Sequence, residues 1–77
     1  MNMELWIGKA RESIAKIPKR TVFVAKDLFE GYEWNGLSRG DKLSFGRTFK
    51  NTVTSGGLAG VRYLGKRDNN SAEYMKE

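Results

Sequence analysis

Thr21-Val22-Phe23-Val24 decides the fold. The run is β-branched and aromatic, the composition of a short strand. No hairpin partner adjoins it. A helical pattern precedes it and another follows, so a pairing strand must come from far along the chain. The place to look is the C-terminal end. From Gly60 the apolar period becomes two: Val61, Tyr63 and Gly65 alternate with Arg62, Leu64 and Lys66. The polar cluster Arg67-Asp68-Asn69-Asn70-Ser71 then reads as a turn, and Ala72-Glu73-Tyr74-Met75 as a returning strand. The early strand joined to this hairpin gives a three-stranded antiparallel sheet.

The remaining segments read as helices. Asn2 is placed to cap a first helix, with Glu4 in its first turn. Ile7, Ala10, Ile14 and Ile17 recur at steps of three and four, and Met3 and Trp6 extend that stripe. Pro18 ends the helix near Lys16, because the residue before a proline is pushed out of the helical region. Leu5 falls off the stripe and hints at a weak homodimer contact; the expected state is a monomer or weak dimer. Lys26-Asp27-Leu28-Phe29-Glu30, stopped by Gly31, is a one- to two-turn helix. Gly31 to Leu37 reads as a turn carrying Tyr32 and Trp34. Ser38 then caps a long helix over 39–54, with Asp41 three residues on. Its core stripe is Phe45, Phe49 and Val53. Gly46 lies beside the stripe at a cost of about 1 kcal/mol relative to Ala. Close approach of another backbone would justify it.

The order is helix, strand, short helix, long helix, hairpin. That order predicts an α+β winged helix-turn-helix: three helices and a small three-stranded antiparallel sheet with a C-terminal β-hairpin wing. All of 1–77 forms one domain. The competing architecture is a three-helix bundle with an unrelated tail.

Composition narrows the function. With 77 residues, 39% of them hydrophobic, the chain can fill one core. It has neither Cys nor His, which excludes a disulfide framework, a zinc finger, a Cys nucleophile and a His base. The acids show no metal-like spacing, and Gly56-Gly57 to Gly60 lacks the Lys-Ser/Thr pair of a phosphate loop. The expectation is therefore no enzyme, no catalytic or metal residues and no cofactor. No apolar run approaches the ~18 residues of a membrane helix, and no signal-peptide core follows the N-terminus. A cytoplasmic protein with no membrane partner is expected. Fourteen Lys+Arg against nine Asp+Glu give +5, which favours an anionic partner.

The candidate binding residues lie on two elements. On the long helix they are Arg39, Arg47, Lys50 and Asn51, with Ser44 and Thr48 beside them. These types contact phosphates and base edges, although any solvated helix face shows some of them. On the hairpin they are Arg62, Tyr63, Lys66 and Arg67. Cations beside aromatic faces suit single strands, where every base has a face to stack. Tyr63 and Tyr74 fit the core better than a stacking face, since Tyr63 alternates with Val61. The hairpin is the denser of the two sets and is expected to contribute more to single-strand affinity. Lys16, Lys19 and Arg20 are read as cations at a helix C-terminus. Trp6 and Trp34 are read as core.

The run Val24-Ala25-Lys26-Asp27-Leu28-Phe29, then Trp34, Gly46-Arg47-Thr48-Phe49 and Gly60-Val61, resembles a family of short proteins carried by bacterial mobile genetic elements. That family was long known only as a domain of unknown function. The resemblance spans about Thr21 to Tyr74. It implies a winged helix-turn-helix that binds single-stranded DNA near the replication genes of its element, with replication proteins of that element as further partners. It implies no catalytic residue. The alternatives are a duplex-DNA transcription regulator and a protein-binding adaptor or inhibitor from a phage or mobile element.

Overall fold

The computed structural model describes residues 2–66 and 72–77. The expected hairpin turn, 67–71, and with it Arg67, lies outside the described residues.

Helix α1 runs over Met3–Lys16, with the Asn2 carboxamide accepting from the Leu5 N–H at 3.2 Å. Ala10 and Ile14 are buried, and Leu5 is exposed as its position predicts. Strand β1, Val22–Val24, leads into a 3-10 turn over Ala25–Leu28. That turn is closed at its start by the Asp27 carboxylate, which accepts from the Val24 N–H at 3.0 Å. The Ser13 hydroxyl of α1 donates to the Leu28 carbonyl at 2.7 Å and fixes the turn against the first helix.

The next element differs from expectation. Gly31 does not stop a helix but starts one: α2 spans Gly31–Asn35. The Glu33 side chain accepts from the Glu30 N–H at the helix start. It also takes the Lys9 ammonium of α1 at 2.8 Å. Trp34 stacks on Phe29, centroids 5.9 Å apart, and meets the Phe45 ring edge-on at 6.0 Å. A five-residue helix has little stability of its own. These tertiary contacts hold it, and local propensity does not register them.

Helix α3, Arg39–Thr54, follows after a short turn, with the Ser38 hydroxyl accepting from the Asp41 N–H. Phe45, Phe49 and Val53 are buried as the stripe predicts. The expectation for Gly46 does not hold. A Cβ there would meet nothing within 4 Å, so no close approach demands glycine.

Strands β2, Val61–Lys66, and β3, Ala72–Lys76, complete a three-stranded antiparallel sheet in the order β1-β3-β2. The lone early strand thus pairs with the C-terminal hairpin, and that hairpin is no detached tail. The architecture is mixed α+β, with three α-helices and one small sheet among the described residues.

The core is a continuous run of rings. Trp6 meets Phe29 at 4.7 Å, Phe29 meets Phe45 at 5.2 Å, and Phe45 meets Phe49 at 5.6 Å. Phe49 meets Tyr74 at 4.8 Å, which carries the run from α1 through α3 into the sheet. Each well-placed pair adds about 0.5–1.5 kcal/mol beyond area burial. Trp6 and Trp34 belong to this core but remain half-buried.

Candidate nucleic-acid interface

An α-helix turns about 100° per residue, so Arg39, Leu43, Arg47 and Lys50 fall within an arc of about 80° on α3. Arg39, Leu43 and Arg47 are exposed, and Lys50 is half-buried. Ser44 and Asn51 are exposed further round the helix, and Thr48 is half-buried. Leu43, 61% exposed, stands in the middle of the cationic stripe. Among the described residues, none of Arg39, Arg47 and Lys50 is in an ion pair. Their charge is free to meet an external anion.

Tyr63 ties this helix face to the hairpin. Its ring packs on Tyr74 at 5.5 Å, and the Lys50 ammonium lies 4.9 Å from its centroid. It is half-buried, with core on one side and a cation over its ring. Tyr74 is fully buried, and burial pushes its hydroxyl up to about 12. It is a core residue, so the hairpin offers Tyr63 alone of these two.

The hairpin cations do not form one patch. Tyr63 pairs with Tyr74, but Gly65 pairs with Glu73, so Leu64 is an extra residue in β2. Such a bulge reverses the side-chain alternation beyond it. Lys66 therefore lies opposite Ala72, on the sheet face that Tyr63 and Tyr74 share. Arg62 lies opposite Met75, on the other face beside Val22. There it borders a shallow depression with Lys19, Arg20 and Glu77. Arg20 adopts a left-handed backbone at φ 67°, unusual for a residue with a side chain. The simple period-two reading, which grouped Lys66 with Arg62, is corrected by the bulge. Gly65, at φ 118°, was the available signal, since an isolated strand glycine marks bulges.

The structure thus joins Lys50 to Tyr63, with Arg39 and Arg47 further round the exposed side of α3 and Lys66 on the same sheet face as Tyr63. Asn51 adjoins them. Arg62 is apart from them, and Arg67 lies outside the described residues. Sequence reasoning missed Lys42. It sits one turn before Gly46, with its ammonium 5.9 Å from the Trp34 centroid. Among the described residues no helix is long and apolar enough to cross a membrane.

No curated protein and no solved structure matches the chain. A family model described as a domain of unknown function matches residues 8–76, nearly the whole sequence. The chain belongs to the DUF1413 family.

Proposed function

We propose that the chain is a winged helix-turn-helix protein that binds single-stranded DNA. It serves as an accessory factor in replication or recombination of a mobile genetic element, beside that element's replication proteins. The β1-β3-β2 sheet behind the α2–α3 pair supports the winged-helix reading. The Lys50–Tyr63 contact carries the functional one. It makes the cationic arc of α3 and the inner edge of the hairpin one continuous surface. That surface carries Arg39, Arg47 and Lys66 for phosphates, and offers the Tyr63 ring to a base once the Lys50 ammonium moves from its face to a phosphate. The likeness of Val24 to Phe29 and Gly46 to Phe49 to mobile-element proteins supports the setting.

One observation favours duplex DNA instead. Helix α3 is 16 residues long and shows Arg39, Arg47 and Asn51 to solvent, as a reading helix in a major groove would.

Salt tests the reading. Three to five neutralised phosphates give a slope of log affinity on log salt of about −2 to −3.5 for a single strand. The purified protein is titrated with a labelled oligonucleotide across salt concentrations. A slope in that range supports the proposal, and a slope near zero removes it.

A further inference from the structure

A groove of about 210 Å³ opens between the sheet and the α2–α3 pair. Val24, Ala72 and Tyr74 line it from the sheet, and Trp34 and Gly46 from the helices. Ala25, Lys26 and Lys42 complete the lining. The volume is below the roughly 300–1,000 Å³ of pockets for drug-sized ligands, and suits one ring system.

Gly46 is the telling residue. It interrupts a 16-residue helix with the poorest helix former after proline. Beyond its own stretch of helix backbone, an alanine methyl there would meet no atom within 4 Å. Packing within the chain therefore does not require the glycine. What its missing side chain provides is open space in this groove.

We propose that the groove receives one unpaired nucleobase of a bound single strand, with the flanking phosphates on Lys26 and Lys42. The proposal rests on the single-strand reading above. A nucleotide is a flat ring joined to an anion, and the groove offers apolar walls, an indole and two lysines, of which Lys42 holds its ammonium 5.9 Å from the Trp34 centroid. An apolar peptide would leave both lysines unused. A duplex keeps its ring faces inside the stack, so only an unpaired base can enter. The groove is also continuous with the interface. Lys42, Gly46 and Lys50 follow one another at four-residue steps, about 6 Å apart along one ridge of α3. A strand entering at Lys42 reaches Lys50 and Tyr63 two steps later.

The test compares an oligothymidine with an abasic strand of equal length, at one salt concentration. The abasic strand keeps the phosphates and loses the bases. Wild-type protein should bind it more weakly by at least the roughly 5- to 150-fold of one stacked base, since the groove and Tyr63 each hold one. Gly46→Leu fills the groove and should cut that preference by roughly 5- to 150-fold, leaving only what Tyr63 supplies, with a melting temperature no lower than wild type. Gly46→Met, with its adaptable side chain, replaces it if the leucine variant does not fold. As an independent readout, Trp34 emission in a Trp6→Phe background should be quenched by oligothymidine and not by the abasic strand. A folded Gly46 variant that keeps the full wild-type preference for bases overturns the groove while leaving single-strand binding in place. So does Trp34 emission that does not respond. A wild-type protein that binds neither strand overturns both readings.

Discussion

The Lys76 ammonium of β3 donates a 2.6 Å hydrogen bond to the Ile14 carbonyl in the last turn of α1. The last strand thereby supplies a cation to the C-terminal end of the first helix, where the helix dipole favours it and where the Ile14 carbonyl also accepts from the Ile17 N–H at 3.1 Å. The contact joins residues 62 apart in sequence.

Lys76→Met keeps the aliphatic stem and removes the donor. A charged hydrogen bond in a half-buried place contributes about 1–2 kcal/mol. The variant should lose about that much in urea denaturation, with an unchanged slope on denaturant. A loss below a few tenths would show that water replaces the ammonium at no cost.

Phe49 is fully buried between the Phe45 ring and the Tyr74 ring. Truncating such a residue costs about 3–5 kcal/mol. Small domains hold little more than that in total. Phe49→Ala should therefore show no cooperative thermal transition, or one lowered by well over ten degrees. An unchanged melting temperature would mean that α3 turns a different face to the core.

Alkali should unfold the domain through two groups. Burial raises the Tyr74 hydroxyl from an ordinary 10.0 to about 12. The hydrogen bond to Glu33 raises Lys9. Both folded values lie above the unfolded ones, so their contribution is intact below about pH 10 and is lost as pH rises towards 12. Tyr74 alone accounts for about 2 kcal/mol by pH 12. Denaturant titrations at stepped pH should show the decline, and Tyr74→Phe should flatten it. Glu33 works in the opposite window. The Lys9 hydrogen bond lowers its carboxyl, so its contribution is present above the ordinary 4.5 and fades as pH falls through the folded value. That pair is half-buried and partly screened by solvent, so the acid effect should be small.

Two charge-matched variants locate the binding surface. Arg39→Ala, Arg47→Ala and Lys50→Ala together strip one arc of α3. Arg62→Ala, Lys66→Ala and Arg67→Ala strip the hairpin. Because Arg62 and Lys66 lie on opposite sheet faces, the α3 set should lose more single-strand affinity. This order reverses the one expected from hairpin charge density alone. Each lost phosphate contact flattens the salt slope by about 0.7. The α3 set should change it by about 2, and the hairpin set by about 0.7 to 1.4. The opposite order would return the binding surface to the hairpin.

Most of the fold is legible in the sequence because it rests on period and punctuation. The Phe45-Phe49-Val53 stripe, the Asn2 and Ser38 caps and the Pro18 stop are local signals, and each lies where it was read. Pairing of β1 with β3 follows from the lack of any nearer partner. Helix α2 is not legible, since Gly31 carries the mark of a stop. What starts the helix there is Glu33 reaching back to Glu30 and across to Lys9. The candidate site is half legible. Arg39, Arg47 and Lys50 follow from helix geometry. The split between Arg62 and Lys66 depends on one extra residue in β2, which alternation cannot register. Lys42 projects inside the core stripe, between Phe49 and Val53, so a projection does not separate lining from packing there.

The preference for unpaired DNA is the central claim. Fluorescence anisotropy of one labelled strand, measured alone and annealed to its complement at identical salt, tests it most directly. The account predicts clearly tighter binding to the single strand, by at least the roughly fivefold that one stacked base supplies. Equal or tighter binding to the duplex would contradict it and make α3 a major-groove reader.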